Sequence, residues 1–129
     1  MKHTKADGID WEAGDDARFG GGDVRLYSGP SADDGGHGVV VVEFDPGSRT
    51  HWHSHAGGQF LYGATGSGRT QSLGEPVAVI QPGDVIYVAP GEQHWHGASP
   101  AEAFTHFAAN LGGAVDWGVP VTDEEYGGA

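Results

Sequence analysis

The chain has 129 residues, 24 of them glycine, with 37% hydrophobic residues and no cysteine. That length suits one domain with a real core, and the glycine content suits short strands and turns better than packed helices. Eighteen acidic against six basic residues give a formal charge of -12, which weighs against nucleic-acid and membrane-surface partners, and the missing cysteines exclude disulfides, cysteine zinc sites and thiol nucleophiles.

Residues 1–22 are polar, acidic and glycine-rich, and are expected to form an N-terminal polar arm before a single domain at 23–129. They lack the apolar run of a signal peptide and no stretch has transmembrane length, so a cytoplasmic protein is expected. From Asp23 the chain alternates strand-like runs with turn signals. DVRLYSG at 23–29 is followed by the polar loop PSADDGGHG. VVVVEF at 39–44 is β-branched and apolar on both faces, as in a strand buried within a sandwich or barrel. DPG at 45–47 is a turn. RTHWHSH, QFLYGAT, GSGRTQSL, EPVAVI, QPGDVIYVAP and HWHGAS follow in order. EAFTHFAANL at 102–111 has helical propensity, but its alternation and its neighbours favour a strand. The pattern predicts about nine short strands and an all-β sandwich or small barrel, with helix only at the final TDEEY.

Strand side chains alternate faces, so His51, His53 and His55 are expected to point one way, and His94 and His96 to share a face of a later strand. Two readings are open: ring nitrogens converging on a transition metal, or solvated histidines on an acidic surface. Two His-x-His pairs in one small domain favour the metal. Val40, Val42 and Phe44 share a face, as do Phe104, His106, Ala108 and Asn110. Their apolar members either pack the core or line an apolar substrate cavity. Trp52 and Trp95 fall between the histidines and face away, toward sheet packing or a subunit contact. His3 and His37 lie in polar segments and are expected in solvent.

The spacing Gly47, five residues, His53-Ser-His55, three residues, Gln59, six residues, Gly66 resembles the first cupin motif. PGDVIYVAPGEQH, with Pro82, Gly83, Pro90, Gly91 and His94, is similar to the second. Gln59 stands where an acid is usual, and Ala98 where an asparagine is common. With HWHGA and TH, these departures resemble a subgroup of bacterial manganese-dependent hydroxynitrile lyases of the cupin superfamily. The resemblance implies a single-domain jelly-roll β-barrel with one internal metal, held by His53, His55, Gln59 and His94. It implies manganese first, with iron, zinc or nickel as alternatives, and His106 then His96 as acid/base groups. The expected substrate pocket comprises Val40, Val42, Phe44, His51, Leu61 and Asn110. His51 and Asn110 stand where those lyases carry other residues.

The expected activity is reversible cleavage of a cyanohydrin to an aldehyde or ketone and cyanide, on a small-molecule substrate. Three imidazoles and an amide would leave a divalent ion its full charge, which suits reactions that release anions. In the bland alternative Gln59 only hydrogen-bonds within its strand, and water completes a three-histidine site. The competing functions are an oxygen-using cupin of iron dioxygenase type and a non-catalytic small-ligand-binding cupin. The resemblance also implies a homodimer or homotetramer formed through the sheets.

Overall fold

The computed structural model describes residues 1–34 and 36–128 and is built almost wholly of strands. A six-stranded antiparallel sheet runs in the order β1 (Glu12–Ala13), β3 (Val24–Ser31), β4 (His37–Phe44), β12 (Phe104–Leu111), β7 (Gln59–Gly66), β10 (Val85–Val88). The second sheet runs β13 (Val115–Trp117), β6 (His53–His55), β11 (His94–Ala98), β5 (Arg49–Thr50), β2 (Phe19–Gly20). β8 (Gly68–Ser72) pairs with β11 and with β9 (Ala78–Ile80). The two sheets face each other as a jelly-roll sandwich. The expected run at 102–111 is strand, not helix, because it lies between β4 and β7 and its backbone is paired on both sides.

There are more strands than the turn signals predict, and the additional ones are short. β1, β2 and β5 have two residues each, too few to show a period of two. Two of them lie in the segment expected as an arm: β1 pairs with β3, β2 with β5, and Phe19 is buried. The expected terminal helix is α1 (Asp123–Gly127), opened by a capping box between Thr122 and Glu125. Among the described residues, no helix is long and apolar enough to cross a membrane.

Phe19, Val24, Leu26, Val42, Phe44, Ile80, Ala98 and Phe104 form the core, drawn from both sheets. Alternation sends Trp95 to the other side of β11 from His94 and His96. There it packs with Trp52, Val121 and Tyr126, beneath the chain end that carries α1. Arg49 donates to the Val121 carbonyl and to Asp123, Arg69 donates to the Tyr126 carbonyl, and both guanidinium groups lie over the Tyr126 ring. This strap seals the back of the histidine-bearing sheet. The outward face of the other sheet is apolar and uncovered: Phe60, Tyr62, Val85, Tyr87 and Phe107 are all exposed there on paired strands.

Trp95 is fully buried and its indole N–H donates to Gln71. Trp95→Ala should therefore destabilise the metal-free protein by roughly 3–5 kcal/mol. Urea denaturation checks this, with a lower midpoint and an unchanged slope expected.

Candidate metal centre

Three strands and one tight turn bring the polar interior together. On β11 and β6, His94 lies opposite His53. On β12, His106 lies opposite Val42, and Asn110 opposite Gln59. Gly58, at a φ of 86°, turns the chain out of β6, and its missing Cβ leaves room against the Val88 carbonyl. That turn sets Gln59 at the start of β7, facing inward. Its amide nitrogen donates to Asn110 Oδ1 at 2.9 Å, and its Oε1 stands 3.2 Å from His94 Nε2.

Two tautomers follow from hydrogen bonding alone. His53 Nδ1 is 2.9 Å from the His51 carbonyl, and His94 Nδ1 is 2.9 Å from the Glu92 carbonyl. A carbonyl can only accept, so each Nδ1 carries the proton and each Nε2 presents a lone pair to the interior. Ligating atoms of His53, His94 and His96 all lie within 4.8 Å of one another. His55 sits beside this group, its ring centroid 5.1 Å from that of His53 and 5.7 Å from that of His94. His96 Nδ1 and His106 Nε2 are 2.8 Å apart and share one proton. His55 Nε2, His96 Nε2 and His106 Nδ1 are buried with no hydrogen-bond partner among the described residues.

Burial keeps all five imidazoles neutral. Desolvation is the leading cause in each case, reinforced by neighbouring histidines at His53, His55, His96 and His106 and partly opposed by Glu92 at His94. It pushes His55 down to about 4 and His106 to about 3, and holds His53 and His96 well below the usual imidazole range. Neutral imidazole is the form that binds a metal.

A cavity of about 240 Å³ opens onto this cluster. Of the residues expected to form the site, His53, His55, Gln59, His96, His106, Val40, Val42 and Asn110 line it. His94 lies behind, reached through His53 and Gln59. Phe44 and Leu61 are buried and do not line the cavity; Phe44 belongs to the core. His51 does not line it either. The strand is interrupted between Thr50 and His53, and the pairing of Arg49 with Gly97 and His53 with His94 differs by one residue. The extra residue reverses the alternation, so Thr50 faces the cavity and His51 is buried away from it. Alternation also could not find Arg18, Phe19, Val115 and Trp117, which join the lining from β13 and the β2 segment, or Leu26 and Ser28, which join it from β3. Trp117 stacks on His53 with ring centroids 4.5 Å apart. Only the aromatic character of Trp117 in an isolated short run hinted at a packed position.

Residues 40–107 match the family model described as Cupin domain. The chain is a cupin. It is 44% identical over 123 residues to an (R)-mandelonitrile lyase of Granulicella tundricola, covering 91% of this cupin and 86% of that protein. Among solved structures, a cupin-like protein from Thermotoga maritima superposes with a TM-score of 0.84 at 38% identity, covering 88% of this chain and 89% of that one. A structure described as a putative acetylacetone dioxygenase from Methylibium petroleiphilum gives 0.72 at 20% identity, covering 95% and 86%. That third likeness shows the fold alone.

The donor set of this cupin fits a divalent metal. His94 Nε2 and Gln59 Oε1 are two acceptors facing each other with no proton between them, an arrangement that a cation stabilises. Flipping both the Gln59 and Asn110 amides would also satisfy this pair. The orphaned nitrogen of His55 has no such remedy. His53→Ala and His94→Ala should each weaken divalent-metal binding by more than the roughly 10–100-fold typical of losing a residue that only orients a ligand. His51→Ala should keep the metal, because His51 supports His53 through its backbone carbonyl. Elemental analysis of the dialysed variants checks both outcomes.

Proposed function

We propose that this cupin is a metal-dependent carbon–carbon lyase that cleaves cyanohydrins to an aldehyde or ketone and hydrogen cyanide. The observation that carries this reading is the 44% identity, across 91% of the chain, to a protein named (R)-mandelonitrile lyase. The chemistry of the cavity supports it. Bound manganese would lower the pKa of a hydroxyl group and stabilise departing cyanide, its charge undiminished because His53, His55, Gln59 and His94 are all neutral donors.

The chain's own proton chemistry would rest on His106 and His96. With one proton held between His96 Nδ1 and His106 Nε2, one of their outer nitrogens always carries a proton and the other always a lone pair. The pair therefore offers a base and an acid at once. The lone-pair end takes the proton of the substrate hydroxyl, and the carbon–carbon bond breaks as the carbonyl forms. Cyanide leaves with the bonding electrons and takes the proton held at the other end. Val40, Val42 and Ala108 offer the organic part of the substrate an apolar wall. The self-association implied by the resemblance belongs to the same reading, and the uncovered apolar face formed by β7, β10 and β12 supports it.

Cyanide release from mandelonitrile, followed without dioxygen, tests the assignment. Manganese-loaded protein should release cyanide well above the metal-stripped control, and equal rates would sink the lyase reading. His106→Ala should lower turnover by roughly 10²–10⁴-fold while its metal content matches that of the parent protein.

A further inference from the structure

The cavity carries one feature that the lyase reading leaves unused. Among the described residues that line it, Arg18 is the one arginine or lysine, and no carboxylate is present. Its position is fixed by the backbone. The Arg18 carbonyl accepts from the His51 N–H at 2.7 Å, and the next residue, Phe19, pairs with Thr50.

The other three arginines are committed elsewhere. Arg25 forms a two-pronged pair with Glu43, Arg49 holds Val121 and Asp123, and Arg69 holds the Tyr126 carbonyl. Arg18 spends only Nε, which donates to Asp15 at 3.1 Å. Its Nη1 and Nη2 have no hydrogen-bond partner among the described residues, and its side chain is 29% exposed. A guanidinium with its terminal edge unpaired, 5.3 Å from the Phe19 ring centroid and in the same cavity lining as Trp117, can take a two-pronged grip on a carboxylate. On a chain of charge -12, anions are repelled by most of the surface; here they meet a guanidinium whose ion pair with Asp15 engages Nε alone. The volume of about 240 Å³ is below the roughly 300–1,000 Å³ of sites for drug-sized ligands, so the occupant is small.

We propose that Arg18 is a specificity-determining residue of this cavity, and that the compounds it selects are small apolar carboxylates, with the carboxylate on the guanidinium and the apolar body against Phe19, Leu26 and Val42. The inference rests on the lyase reading only in sharing its cavity.

Calorimetric titration of the manganese-loaded protein with benzoate and with neutral benzamide tests it without turnover. Benzoate should bind at least about tenfold more tightly, the increment of one charge-assisted hydrogen-bonded pair. Arg18→Gln should abolish that preference and leave benzamide affinity unchanged, which also reports an intact cavity. Arg18→Lys, keeping the charge without the fork, should fall between. Three results would overturn the proposal: no benzoate binding, equal affinity for both probes in the parent protein, or an undiminished benzoate preference in Arg18→Gln. The last would assign the preference to the metal. Cyanide release is measured separately, so failure of the lyase reading leaves this result standing.

Discussion

Five imidazoles share the interior of this cupin, and among the described residues no carboxylate lines the cavity beside them. Much of the site follows from that constraint. Desolvation lowers the pKa of every one of these rings and favours the neutral form, so each ring has a lone pair that needs a partner. Backbone carbonyls at His51 and Glu92 fix two of the rings with Nε2 inward, and the His96–His106 contact pairs two more. What is left is a set of inward-facing nitrogens and one amide oxygen with nothing to bind. A divalent cation is the partner that such a set fits. Because the donors are neutral, the ion's charge stays available to whatever anion the reaction produces.

The rest of the fold holds this set in place. β12 sits between β4 and β7 with long registers on both sides, so His106 and Asn110 are positioned by backbone pairing and not by loops. Behind β11, the packing of Trp95 against Trp52, Val121 and Tyr126 closes the sheet away from water. Such support from rigid elements keeps several ligands aimed at one point.

The alternating histidines were legible in the sequence from strand period, whereas the place of Gln59 beside them came from its position in a motif that resembles the cupin one. Turn spacing made an all-β sandwich or barrel legible, and the resemblance to the cupin motifs narrowed it to a jelly roll. His51 was not: a period of two carries across a strand only if the strand is continuous, and one extra residue between Thr50 and His53 turns His51 away. Phe44 and Leu61 share faces with cavity residues, yet they lie too deep to reach the opening, and depth has no signature in alternation. Trp117, Phe19 and Arg18 come from strands of two or three residues and their flanks. Their place at the cavity depends on pairings across the fold, which no local pattern encodes. His96 is a mixed case. Its face was predicted, but the closeness of its ring to His53 and His94 appears only when β6 and β11 are paired.

The central claim is that a divalent ion binds inside this barrel on neutral donors alone. Anomalous diffraction from crystals of the manganese-loaded protein tests it most directly. The expected result is one interior peak bonded to the Nε2 atoms of His53 and His94, with Gln59 Oε1 turned onto the ion. An ion held by carboxylates at the surface, or an interior ion with Gln59 outside bonding distance, would contradict the account.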